Sequence, residues 1–115
     1  MANTFKTITK AGVTSADVIY TVAGSTTSVV LGLMLGNTTS GTITATVTLG
    51  TDTANRAGNN NETNQDVELI TSTSIPGNST LELLAGNKVV METTDTLSVT
   101  GSGATDVALS VMEIT

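Results

Sequence analysis

The chain of 115 residues contains no cysteine, no histidine and no tryptophan. These absences exclude zinc fingers, thiol nucleophiles, Ser-His-Asp triads, histidine-ligated metals and disulfide scaffolds. Only Phe5 and Tyr20 are aromatic, and Pro76 is the single proline. The core must therefore be built from Val, Leu, Ile, Ala and Met, and a core that light gains from a partner surface or from oligomerisation. Positive charge is scarce as well: four Lys/Arg stand against ten Asp/Glu, for a net charge of −6. A chain of that sign is repelled by phosphate backbones, so nucleic acid is not expected as a partner. The longest apolar run, Val29 to Gly36, falls far short of the roughly 20 residues of a membrane-spanning helix, so no membrane partner is expected. Met1 to Lys10 carries two lysines without a following apolar stretch, so no targeting signal is read and a soluble protein is expected.

What the chain does have is threonine, valine and isoleucine in alternation. In Thr42-Ile43-Thr44-Ala45-Thr46-Val47-Thr48-Leu49, every odd position is apolar and every even one is threonine. Period two places Ile43, Ala45, Val47 and Leu49 on a buried face and the hydroxyls on a wet one. The run from Ser28 to Gly36 puts Val29, Leu31, Leu33 and Leu35 on one face, and a thinner set, Val30, Gly32, Met34 and Gly36, on the other. Glycine inside a strand marks a bulge or a close backbone approach, so the Gly32 and Met34 face is expected to be covered by another strand or another subunit. Asn37 to Gly41 between these runs has the chemistry of a hairpin turn.

Further strands are predicted at Val18–Val22, Val67–Ser72, Leu81–Leu83, Lys88–Met91, Thr96–Thr100 and Val107 onward, with another at Thr4–Lys10. Ile75-Pro76-Gly77-Asn78 supplies a turn with a fixed φ. Eight or nine short strands with turns between them predict an all-β fold: one antiparallel β-sandwich or jelly-roll-like barrel spanning 1–115. Residues 1–12 read either as a docking arm or as an edge strand, and 51–65 as a long loop. Two readings of Lys6 and Lys10 stand side by side. They either flank Phe5 and Ile8 on an arm that docks on an acidic neighbour, or guard an edge strand against unwanted pairing. The long loop holds the only arginine, Arg56, beside Asn59, Asn60 and Asn61, and reads as a solvated loop or as a partner-binding tip.

Chemistry is hard to find. The carboxylates are scattered, and the closest pair, Asp66 and Glu68, has no aromatic platform for a sugar, so it reads as solvated edge charge. Asp52, Asn55 and Asn59 to Asn61 lack the spacing of an EF-hand. The Asn-X-Ser/Thr triplets at Asn37, Asn61 and Asn78 read as turns. No catalytic residue, metal site or cofactor is expected, and the chain is not expected to be an enzyme. Self-association is expected through the Gly32 and Met34 face, with a trimer favoured.

Ile19 to Leu33, then Ile75 to Glu92 with Asp95-Thr96-Leu97, and finally Leu109 to Ile114 together resemble small all-β virion proteins of tailed bacteriophages, of the marine and cyanophage-like kind. The resemblance implies a capsid decoration (cement) protein. Such a protein would be assembled into particles in the host cytoplasm and would sit on the outer surface, bound to the major capsid protein or other virion proteins. Its alternative implication is an adaptor or receptor-binding module at the neck, baseplate or tail fibre. Phe5, Lys6, Ile8, Lys10, Gly32 and Met34 are the candidate capsid or subunit interface, and Arg56 with Asn59 to Asn61 the candidate partner loop.

Overall fold

A computed structural model describes residues 2–52, 65–84 and 86–115. Among these residues nine strands follow one another: β1 (Asn3–Val13), β2 (Asp17–Thr21), β3 (Thr27–Asn37), β4 (Ile43–Thr51), β5 (Gln65–Ile75), β6 (Thr80–Leu83), β7 (Val89–Met91), β8 (Thr96–Gly101) and β9 (Thr105–Ile114). They form two antiparallel sheets. One runs β1-β9-β3-β6, with β7 also on β3, and the other runs β2-β8-β4-β5. The chain passes from sheet to sheet at most connections. Because β6 and β7 lie along the same strand β3, they act as one interrupted strand, and the strand order is that of a jelly roll. The all-β sandwich expected from the alternation is what the chain forms.

Inward-facing residues of both sheets make a single core. Val30, Leu33, Leu35, Val47, Leu97, Val99 and Leu109 are essentially inaccessible to water. β4 alternates as the threonines require, with Ile43, Ala45 and Val47 buried. β9 does the same through Val107, Leu109 and Val111.

β3 departs from the uninterrupted alternation. Its pairing with β9 slips between Val30 and Gly32, so Leu31 is an extra residue. One extra residue turns every following side chain to the opposite face. The buried set is therefore Ser28, Val30, Leu33, Leu35 and Asn37, and Val29 and Leu31 lie on the outside with Gly32 and Met34. Gly32 marks the bulge. A similar slip between Val18 and Tyr20 in β2 lets the neighbours Ile19 and Tyr20 both be buried.

The Asn37 to Gly41 segment is a second correction. β3 and β4 belong to different sheets, so the segment arches over the end of the sandwich and is not a hairpin. Asn37 holds the arch. Its amide donates to the carbonyls of Gly41 at 2.8 Å and Ile75 at 2.9 Å, while its Oδ1 accepts from the Thr39 N–H at 2.9 Å and hydroxyl at 2.7 Å. The turn after Pro76 packs against it: Asn78 N–H donates to Thr39 O, and a Cβ on Gly77 would collide with the Ser40 carbonyl. The sequence shows two turn clusters; the fold locks them together.

At the loop expected over 51–65, Thr51 and Gln65 instead pair as the last rung of the β4–β5 hairpin. Arg56, Asn59, Asn60 and Asn61 lie outside the described residues.

Candidate functional site

Residues 1–12 are placed as an edge strand. β1 pairs with β9 from Asn3 opposite Ile114 to Lys10 opposite Val107. Period two then divides the candidate interface. Phe5 lies on the outer face of the sheet with Gly32 and Met34, whereas Lys6, Ile8 and Lys10 lie on the side that faces the other sheet. Ile8 packs against the core. Lys6 and Lys10 are engaged within the molecule, Lys6 with Glu113 at 2.8 Å and Lys10 with Asp17 at 3.2 Å. The six residues thus form two groups, of which only Phe5, Gly32 and Met34 share a surface.

That surface is wider than the sequence pattern suggested. Following the register across four strands, Phe5 lies opposite Met112, Met112 opposite Val29, and Val29 opposite Val90. Directly opposed residues in antiparallel strands share a face, so these four side chains form one apolar row. Phe5 at 71% and Val90 at 53% exposure are the two most accessible large apolar residues among those described. Further along the face, Met34 is opposite Ala108. Because Gly32 and Gly36 contribute no side chains, Met34 stands between two shallow depressions of about 240 and 190 Å³. A Cβ placed at Gly32 would meet nothing within 4 Å. Charged side chains border this face at both ends: Glu82 lies opposite Met34 and Asp106 opposite Gly36, and at the other end the Thr27 hydroxyl donates to Glu92 at 3.4 Å. Val29 was missed as a surface residue because a bulge cannot be seen in a run of apolar residues, with Gly32 the signal; Val90 and Met112 were missed because the strands that set them beside it are distant in sequence.

The ionisable groups away from this face do structural work. Tyr20 on β2 donates to Glu113 Oε2 at 2.5 Å across the two sheets, and Lys6 holds the other carboxylate oxygen. Burial, reinforced by the Glu113 hydrogen bond, pushes the Tyr20 phenol up to about 12, with the Ser28 hydroxyl partly opposing. The Lys6 hydrogen bond, then that of Tyr20, lowers the Glu113 carboxyl against the opposing effect of burial. Asp95, fully buried, accepts from the backbone N–H of Asp52 at 3.0 Å and Glu92 at 2.9 Å, tying the β7–β8 turn to the end of β4. Asp66 and Glu68 lie exposed on the edge strand β5. Among the described residues no three acidic side chains converge as a metal site would require.

No protein-family model and no curated protein matches the chain. A solved structure described in the words "Bacillus endospore appendages form a novel family of disulfide-linked pili" is similar over 99% of this chain and 87% of its own. The two share 14% identity, with a TM-score of 0.49. A likeness of that degree bears on no function, and the present chain has no cysteine with which to form such links.

Proposed function

We propose that the chain is a non-enzymatic structural protein of a tailed-phage particle, specifically a capsid decoration protein that binds the outer shell and bridges major capsid subunits. The observation that carries this reading is the apolar row Phe5, Met112, Val29 and Val90 across the outer face of the sheet that holds β1, β9 and β3. A monomeric soluble protein rarely leaves so continuous an apolar row in water unless something covers it. The jelly-roll order adds a fold-level analogy to capsid proteins, which is weaker support because folds host many functions. A net charge of −6 suits the outside of a DNA-filled shell better than the inside.

The mechanism is mechanical. Apolar surface buried across a joint between shell subunits contributes roughly 25 cal/mol per Å² before the costs of association are subtracted. Many copies, each bound modestly, then resist internal pressure together. The test is co-sedimentation with purified shells lacking the protein. Met34→Glu and Val90→Glu change exposed side chains and leave the fold intact, and each is expected to abolish shell binding. Binding unchanged by both substitutions would remove this face, and with it the proposal.

A further inference from the structure

Three of the four sheet edges are blunted. β5 is interrupted by two register shifts, carries exposed Asp66 and Glu68, and holds Ser72 at a φ of 44°. β2 is five residues long with a bulge, and β6 and β7 are four and three residues. β1 is different. It pairs with β9 in unbroken register from Asn3 to Lys10, and its other side is open. Edge strands usually display lysines against unwanted pairing. Here both lysines are drawn to the inner side by Glu113 and Asp17, and the outer positions Asn3, Phe5, Thr7 and Thr9 are uncharged.

The ladder also shows which backbone groups are free. Ala2 and Thr115 exchange both N–H···O bonds, at 3.1 and 3.0 Å, and so form a hydrogen-bonded pair. Antiparallel alternation then turns the backbone of Thr4, Lys6, Ile8 and Lys10 toward β9. It leaves the N–H and C=O groups of Asn3, Phe5, Thr7 and Thr9 facing the open edge.

We propose that β1 pairs antiparallel with β1 of a second copy of this chain, about a two-fold axis at Phe5. Each Phe5 then lies opposite the other, Asn3 opposite the second copy's Thr7, and Thr4 opposite its Lys6. The three outward pairs supply about six hydrogen bonds. Other registers are worse. Centring on Lys6 sets lysine against lysine, centring on Ile8 sets Lys6 against Lys10, and centring on Thr7 sets each Phe5 opposite a Thr9, which leaves the two rings apart and breaks the apolar row. Centring on Phe5 makes the apolar row continuous through both copies and pairs the two most exposed aromatic rings. One open edge per chain makes the contact isologous, so the assembly closes at two and takes the place of the three-fold symmetry expected from the sequence. The inference is independent of the virion role, since purified protein alone displays it.

Sedimentation equilibrium of the full chain at tens of micromolar is expected to show a dimer. Thr7→Pro removes an N–H that β9 does not use and fixes a φ that an edge strand tolerates, so it should give a monomer with an unchanged β circular-dichroism spectrum. In a chain without cysteine, Phe5→Cys should oxidise to a disulfide-linked dimer, because a hydrogen-bonded pair sets Cα atoms about 5.5 Å apart. Thr7→Cys should not, its two copies lying about 13 Å out of step along the strands. A monomeric parent chain, a Thr7→Pro protein that stays dimeric, or cross-linking through Thr7→Cys in preference to Phe5→Cys would each overturn the pairing; the cysteine pair decides it even if the proline variant fails to fold.

Discussion

Replacing Tyr20 by Phe removes one oxygen atom from the middle of the molecule and tests the buried Tyr20–Glu113–Lys6 network that joins the two sheets. The phenol donates to Glu113 Oε2 at 2.5 Å, and Glu113 is itself 8% exposed, so no bulk water replaces the lost donor. A hydrogen bond to a charged group contributes about 1.5–3 kcal/mol, and Tyr20→Phe should therefore destabilise by that amount at pH 7. For a domain of this size that corresponds to roughly 6–12 °C in melting temperature. The pH dependence supplies a second signature. The Tyr20 pKa rises from 10.0 to about 12 on folding, so the neutral phenol is favoured in the native state. Its contribution is fully present below pH 10 and is lost as pH climbs from about 10 to 12. A shift of that size sets a ceiling of about 2.7 kcal/mol, and screening at the half-exposed Lys6 end reduces the expected loss to about 1–2 kcal/mol. The variant has no phenol to titrate, so the gap between the two proteins should narrow across that window. Urea unfolding of both proteins at a series of pH values measures it directly. A difference below about 0.5 kcal/mol at pH 7, or one that stays constant from pH 9 to 12, would refute the reasoning.

The acid side should behave in the opposite sense. The Glu113 carboxyl is lowered, so its stabilisation is present above the ordinary glutamate range and lost as pH falls through the native value; in Glu113→Gln this part of the acid limb should disappear from a stability–pH profile. Asn37→Ala leaves the buried carbonyl of Ile75 without its donor and loosens the arch, which should cost about 2–4 kcal/mol in chemical denaturation. Gly77→Ala forces a methyl group against the Ser40 carbonyl and should lower stability by more than about 2 kcal/mol, whereas Gly32→Ala enters open space and should change it by less than about 1 kcal/mol; thermal melts of the two variants give the contrast. Leu109→Ala, at a fully buried position of the central strand β9, should cost about 2–5 kcal/mol by the same assay.

The strands were legible in the sequence because burial on one face imposes a period of two, and β4 and β9 obey it without interruption. What alternation cannot show is a single unpaired residue. Leu31 is apolar and sits among apolar residues, so nothing but the adjacent Gly32 marks the bulge that sends Val29 outward and Val30 inward. Sheet membership was likewise hidden. Asn37 to Gly41 has hairpin chemistry, but whether a turn joins neighbours or arches between layers depends on Ile75 and the Pro76 turn, contacts made from far along the chain. The carboxylates show the same limit: Glu113 and Asp95 look like ordinary strand and turn charges until the fold brings Tyr20, Lys6 and the Asp52 and Glu92 backbone to them. Phe5, Gly32 and Met34 were readable as surface candidates because each stands out locally, as an isolated aromatic, an in-strand glycine and a methionine on a thin face. The row that joins Phe5 to Met112, Val29 and Val90 exists only once four strands are set in register.

Abundance in the particle tests the central proposal most directly. Quantitative mass spectrometry of purified virions should find this chain at a copy number comparable to that of the major shell protein, as a lattice of decorating subunits requires. A small fraction of that abundance, or absence from virions, would contradict a decorating role; the small fraction would move the chain to the neck, baseplate or fibres.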